Sequence, residues 1–109
     1  MNLKETIKNA RLLDIYGGLL TKKQQQILNS YVNFNGSISE IAENTKTSRQ
    51  AVLDIIKRTL QKLNQLEEKL KICKKLDNIY EKISNISAQF GLTTKQEQVI
   101  IEAVKGMEE

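Results

Sequence analysis

The chain has 109 residues, a net charge of +4 and a hydrophobic fraction of 39%, which suits one small domain with one appended segment. It contains one Cys and no His, so the residue types that usually hold zinc or activate a nucleophile are almost absent, and we predict no catalysis, no metal site and no cofactor. With no Pro and five Gly, little interrupts helix, and the abundant Lys, Gln, Glu and Leu predict an all-α fold.

Four helix starts fall within the first 50 residues. An apolar face over residues 3–16, followed by two glycines, predicts the first helix. The stretches Thr21–Gln24 and Ser37–Glu40 are capping boxes that begin the second and third helices. The fourth helix begins at Thr47 or Ser48, and either hydroxyl can cap it. This spacing predicts a compact helical bundle.

The third and fourth predicted helices have the spacing of a helix-turn-helix motif. Ala42 is the small residue at the point where the two helices cross, and Val52 is the branched residue that anchors the second helix ten positions later. Between them the turn carries Thr45, Lys46 and Thr47, where the motif usually has apolar residues around a Gly or Asn. A Lys in the left-handed region costs roughly 1 kcal/mol relative to Gly. We therefore expect a loose turn.

The first turns of the fourth helix project polar side chains away from this core. Arg49 and Gln50 have the chemistry that reads guanine and adenine edges in a major groove. We predict contacts with the nucleic-acid backbone from five further residues: Lys46, Ser48, Lys57, Arg58 and Lys62. Residues 46–75 carry nine Lys or Arg against three acids, which favours phosphate. The alternative is an ordinary solvated helix face, on which Arg49, Asp54 and Lys57 are paired along the helix.

Beyond Val52, apolar residues recur at intervals of three and four positions as far as Phe90, without a Gly or Pro. A continuous helix of this length would extend about 60 Å, which one small domain cannot cover. We predict a long amphipathic helix over residues 59–90 that pairs with a second copy in a coiled-coil-like homodimer. The predicted dimer interface consists of Leu63, Leu66, Leu70, Cys73, Leu76, Ile79 and Ile83. The alternative is a helix that breaks at Asp77-Asn78 or Ser84-Asn85 and folds back.

The division that follows has three parts: a helix-turn-helix bundle over residues 1–58, the long helix over 59–90, and a short C-terminal helix within 91–109. In this last part, "LTTKQEQVIIEAV" from Leu92 echoes "LTKKQQQILNSYV" from Leu20. The echo reflects either one type of helix start used twice or an internal duplication.

The N-terminal residues contain no apolar run of signal-peptide length, and no stretch approaches the length of a membrane span. Cys73 lies in an apolar stripe, as a buried thiol does in a reducing compartment. We therefore expect a soluble cytoplasmic protein.

Two stretches, "LLDIYGGLLTKKQQQILNSYV" and "SISEIAENTKTSRQAVLDIIKRTLQKLNQLEEKL", resemble the YlxM family of bacterial proteins. The resemblance covers about Leu12 to Leu70 and is most specific at "SRQAV" and "IKRT". It implies a bundle similar to region 4 of sigma factors with a long C-terminal helix, DNA binding, and a role in the signal recognition particle pathway. The matched recognition positions are Ser48, Arg49, Gln50, Ala51, Lys57 and Arg58.

The leading interpretation is a dimeric helix-turn-helix protein that binds DNA or structured RNA as a regulatory or accessory factor. The resemblance implies signal recognition particle components as partners. A dimer would present two reading heads, so DNA sites would be related by two-fold symmetry. The alternative is a non-catalytic adaptor that uses the same bundle and long helix to dock a protein.

Overall fold

The computed structural model describes the backbone of residues 2–108 and the side chains of residues 2–106. Within that range it contains six α-helices, one short 3-10 turn and no β-strand, which confirms the predicted all-α fold. The helices are α1 (Leu3–Tyr16), α2 (Lys22–Val32), α3 (Ile38–Thr45), α4 (Arg49–Leu70), α5 (Ile72–Phe90) and α6 (Thr94–Glu108). No helix of the described part combines the length and the apolar character that a membrane crossing requires.

The helices group into two compact units, Met1–Lys71 and Ile72–Glu109. We call the first unit, which holds α1 to α4, the head, and the second, which holds α5 and α6, the hairpin. The boundary predicted after residue 58 falls inside α4, which runs to Leu70. Residues 59–90 are therefore the end of one helix and the whole of the next, rather than the single long helix predicted.

The core of the head forms where α1, α2 and α4 pack against one another, with α3 against α2 and α4. The side chains that are almost fully buried there are Leu12, Tyr16, Ile27, Leu28, Val52, Thr59 and Leu63. The Tyr16 hydroxyl also donates a 2.6 Å hydrogen bond to Glu67 Oε1 and so ties α1 to the second half of α4. The second half of α4 thus belongs to the core of the head.

The predicted helix starts are present in the head. Thr21 Oγ1 accepts from the Gln24 amide at 3.2 Å, and the Gln24 side chain accepts from the Thr21 amide at 3.0 Å, which completes the capping box. Ser37 caps α3 by accepting from the Glu40 amide at 3.1 Å, which is one of the two bonds of the capping box predicted there. Of the two candidates at the start of α4, Ser48 is the cap. These bonds satisfy amide groups that a helix start leaves without intrahelical partners.

The break in the long apolar stripe lies at Lys71, which adopts the left-handed conformation with φ 55° and ψ 34°. Its amide donates to the Glu67 carbonyl at 2.8 Å and ends α4. The breaks predicted at Asp77-Asn78 and Ser84-Asn85 are wrong, because all four residues lie within α5. Their side chains are exposed, and an exposed polar pair does not interrupt a helix that is held on its opposite side.

The hairpin turns at Gly91, which has φ 63°. The Leu92 amide donates to the Ser87 carbonyl at 3.0 Å, the six-to-one bond of a glycine-terminated helix. A capping box of Thr93 and Gln96 then begins α6, with bonds of 2.9 and 3.2 Å. Because so short a connection joins two packed helices, α5 and α6 run antiparallel.

The predicted dimer interface is divided by this arrangement. Leu63 is fully buried, and Cys73 and Ile83 are each 8% exposed, so the single chain already covers them and they offer a second copy almost no surface. The role of these three residues in a dimer stays a prediction, and their burial within one chain does not support it. Leu66 and Leu76 are half-buried. Leu70 and Ile79 keep 43% and 41% of their surfaces exposed, and both remain available to a partner.

Candidate nucleic-acid interface

The helix-turn-helix motif is formed by α3 and α4, which pack against each other in the head. Ala42 is 7% exposed and Val52 is fully buried, as the spacing predicted for the crossing point and the anchor. Ile41, beside Ala42, is 3% exposed. With Val52 inward, the first turns of α4 have their opposite side in solvent.

The backbone of the turn has the geometry that the motif requires, although it lacks Gly. Lys46 adopts the left-handed conformation with φ 54° and ψ 41°. Its amide donates to the Glu43 carbonyl at 3.3 Å, and the Thr47 amide donates to the Ala42 carbonyl at 3.0 Å. These two bonds form a Schellman motif, which closes α3 as a glycine would.

The two threonines of the turn use their hydroxyl groups in place of apolar packing. Thr45 Oγ1 donates to the Ile41 carbonyl at 2.7 Å. Thr47 Oγ1 donates to the Thr45 carbonyl at 3.1 Å, and both threonines are half-buried. The turn that we expected to be loose is therefore closed by local hydrogen bonds, which hold the start of α4 against the end of α3.

Arg49, Gln50 and Lys57 form an exposed strip on the first turns of α4. Successive residues of a helix turn by about 100°, so Lys57 lies within about 20° of Gln50 and two turns further along. Lys46 is also exposed, in the turn that leads into this strip. The structure thus brings four of the predicted contact residues together at the N-terminal end of α4. We call these four residues the reading strip.

Ser48 has a structural role at the same place. Its Oγ accepts from the Ala51 amide at 3.1 Å and caps α4. A hydroxyl group both donates and accepts, so Ser48 can hold this cap while its O–H donates to a phosphate. The cap fixes the first turn of α4, and with it the backbone positions of Arg49 and Gln50.

Leu53 and Asp54 lie beside the reading strip and limit what it can bind. Leu53 is 47% exposed and offers a base only an apolar contact, such as one with a thymine methyl group. Asp54 Oδ2 lies 3.3 Å from Arg58 Nη2, and both side chains are largely exposed. An exposed pair of this kind contributes little to stability. It does neutralise a carboxylate that would otherwise repel phosphate.

Lys62 is separated from the other predicted contact residues. Its Nζ donates to the Leu19 carbonyl at 3.2 Å, so it is bound to the turn between α1 and α2. On the helix it lies about 120° around the axis from Gln50. The predicted contact residues therefore divide into three groups. The reading strip and the Ser48 cap lie together, Arg58 is paired with Asp54 beside them, and Lys62 lies apart.

Sequence reasoning missed an open groove of about 830 Å³ between α1 and α2. Its floor includes Ala10 and Leu13. Its polar lining comes from both helices and from the residue that follows α2: Arg11, Asp14, Lys22, Gln25, Gln26, Asn29 and Asn33. No signal in the sequence distinguishes these residues from an ordinary solvated surface, because their proximity depends on how α1 and α2 pack.

The chain is similar to a known family along almost its whole length. The family model of UPF0122, described as "Putative helix-turn-helix protein, YlxM / p13 like", matches residues 3–104. A UPF0122 protein of Clostridium kluyveri is 51% identical over 79 residues, covering 72% of this chain and 71% of that protein. The UPF0122 protein YlxM of Bacillus subtilis is 37% identical over 108 residues, covering 99% and 97%. The resemblance seen in the sequence ended at about Leu70. The similarity to the family continues beyond that residue and includes α5 and α6.

Proposed function

The chain belongs to the UPF0122 family of helix-turn-helix proteins, and on that premise we propose that it binds nucleic acid through the reading strip of α4. The observation that carries this proposal is the exposed set Lys46, Arg49, Gln50 and Lys57 at one end of a closed motif. The N-terminal part of the second helix is the part of such a motif that enters the major groove.

In this proposal the contacts divide by their chemistry. Arg49 and Gln50 contact base edges, since a guanidinium and a carboxamide can each bond a purine at two points. Lys46, Ser48 and Lys57 contact the phosphate backbone. Arg58 adds a phosphate contact when it leaves Asp54. Lys62 contributes only if it leaves the Leu19 carbonyl, so it takes the smallest part.

The distribution of charge between the two units supports a role for the head. Residues 1–71 carry twelve Lys and Arg against seven Asp and Glu, a net charge of +5. Residues 72–109 carry five against six, a net charge of −1. A polyanion is therefore attracted to the head and not to the hairpin.

The sequence resemblance supports the finer parts of the proposal. We propose a regulatory or accessory protein of the signal recognition particle pathway, acting in the cytoplasm. Two chains would associate as a homodimer, and each would present one reading strip. Structured RNA is the second ligand class, because basic helices contact its phosphates without reading a palindrome.

Salt dependence tests nucleic-acid binding directly. We expect the affinity for a labelled random-sequence DNA duplex to fall steeply with KCl, with a log–log slope of about −3.6 for roughly four neutralised phosphates. Fluorescence anisotropy measures it, with a structured RNA hairpin as competitor to compare the ligand classes. Replacing Lys46 and Lys57 by Gln should reduce the slope by about 2.

The matched control is Lys82→Gln with Lys95→Gln, which removes two exposed charges from the hairpin and should leave the slope unchanged. A flat salt dependence for the wild-type protein would argue against nucleic-acid binding and favour a docking adaptor.

A further inference from the structure

The echo between the two halves of the chain extends to the hydrogen bonds. Thr21 and Gln24 begin α2 with a reciprocal capping box of 3.0 and 3.2 Å. Thr93 and Gln96 begin α6 with the same pair of bonds, at 2.9 and 3.2 Å. In this register, Ile27 and Leu28 of α2 correspond to Val99 and Ile100 of α6. The two helices can therefore be compared position by position.

The comparison shows apolar positions on α6 that have lost their cover. Ile27 and Leu28 are fully buried in the head, where α2 packs against α1, α3 and α4. Val99 is 65% exposed and Ile100 is 38% exposed, although α6 packs on α5. The two helices begin in the same way and carry an apolar pair at the same positions, but the pair is buried on α2 and partly exposed on α6.

The exposed apolar side chains of α5 lie on one edge. Ile72, Ile79, Ile86 and Phe90 are 37%, 41%, 47% and 69% exposed. At about 100° per residue they fall within an arc of about 40°. The buried edge, which Cys73, Ile83 and Ser87 define, is centred about 75° further round. The apolar face of α5 is therefore wider than the part that is covered.

Ile100 lies on the same side of the hairpin as this edge. Each helix has one edge that packs on the other helix, and on α6 this inward edge includes Ile101 and Val104. Viewed from the N-terminus of each helix, the exposed apolar edge is rotated away from the inward edge in the same direction. Because α5 and α6 are antiparallel, equal rotation places both exposed edges on one face. We call Ile72, Ile79, Ile86, Phe90 and Ile100 the hairpin face; Val99 lies outside it.

The size of the hairpin face fits a specific interface. The exposed parts of these five residues amount to roughly 400 Å², a patch within the range of the largest apolar patches on soluble monomers, which are often functional. A standard interface takes roughly 800 Å² from each partner, and about 65% of that is apolar in homodimers. The hairpin face therefore supplies most of the apolar area that such an interface takes from one partner.

The charge of the hairpin favours a second copy of the chain as the occupant. With a net charge of −1, two hairpins approach each other with little repulsion, whereas two heads at +5 repel. A face without net charge has no preference for a strongly charged partner, but it is complementary to itself under two-fold symmetry.

We propose that the hairpin face binds the hairpin face of a second copy, so that two hairpins form a four-helix bundle. This assigns the contact surface of the homodimer proposed above and rests on that part of the proposed function. It places the interface on Ile72, Ile86, Phe90 and Ile100, which sequence reasoning did not include, and on Ile79, which it did. None of these residues belongs to the reading strip.

The test is the mass of the full-length chain by sedimentation equilibrium at roughly 100 µM, where a dimer of micromolar Kd is almost fully assembled. The wild-type protein should be a dimer, and Ile79→Glu with Ile86→Glu should weaken dimerisation by at least about 100-fold, because each change places an unpaired carboxylate in the contact. Both side chains are substantially exposed in the single chain, so the helical circular dichroism should be unchanged. If it is not, Phe90→Lys serves as the second variant.

The matched controls are Val99→Glu and Leu3→Glu, which add the same charge at apolar residues that are 65% and 76% exposed outside the hairpin face; both should remain dimers. A monomeric wild-type protein would overturn the proposal, and so would a dimer that survives both the double variant and Phe90→Lys. The assay contains no nucleic acid. A dimer that fails to bind DNA or RNA would therefore contradict the proposed nucleic-acid binding and leave the assignment of the hairpin face standing.

Discussion

Replacing Leu63 by Ala is expected to lower the free energy of unfolding by about 3 kcal/mol. Leu63 is fully buried in the core of the head, so the truncation removes apolar burial and leaves a cavity that the surrounding helices fill only in part. Urea denaturation followed by circular dichroism measures the change. The effect should be the same at low and high protein concentration, since Leu63 stabilises the single chain.

The matched control is Leu70→Ala in the last turn of the same helix. Leu70 is 43% exposed, so the same truncation there should cost less than about 1 kcal/mol. If Leu63→Ala were instead neutral for folding and abolished dimerisation, Leu63 would lie at an interface between copies, as the apolar periodicity alone suggested.

Replacing Arg49 and Gln50 together by Ala is expected to weaken binding by about 100-fold on a duplex that the wild-type protein has enriched from a random library. Two-point contacts with bases contribute roughly 1–3 kcal/mol each. On random duplex the same variant should lose only a few-fold, because there it loses a single phosphate-attracting charge. Anisotropy on the two duplexes gives both numbers.

Lys95→Ala with Gln98→Ala is the control for that variant, because it removes one charge and one carboxamide from exposed positions of α6. It should leave both affinities unchanged. Equal losses on enriched and random duplex in the Arg49 and Gln50 variant would mean that these residues bind phosphate and do not read bases.

The helix-turn-helix motif was predictable because its determinants are local. The capping boxes need only a Thr and a Gln three residues apart. The crossing point and the anchor, Ala42 and Val52, follow from spacing alone. The sequence also shows which polar residues form the turn, but it did not show how their side chains would pack or bond. The lack of apolar side chains in the turn predicted that it would be loose. Instead, Thr45 and Thr47 close it with hydrogen bonds to backbone carbonyls.

The break at Lys71 was not predictable in this way. A non-glycine residue in the left-handed conformation leaves no mark in the sequence, and the apolar stripe continues through it with helical spacing. Periodicity shows that Leu63, Cys73 and Ile83 are covered, but it does not show by what. Here the single chain covers them, and a second copy is not needed. The same limit explains the missed groove between α1 and α2.

Mapping the contact surface on the chain itself tests the central claim most directly. Backbone amide shifts of the full-length protein, titrated with a random-sequence duplex at low salt, should change most in the turn at Lys46 and along residues 48–57. They should return to their free values as KCl is added. Shifts that concentrate in α5 and α6, or in the groove between α1 and α2, and persist at high salt would contradict nucleic-acid binding by the reading strip.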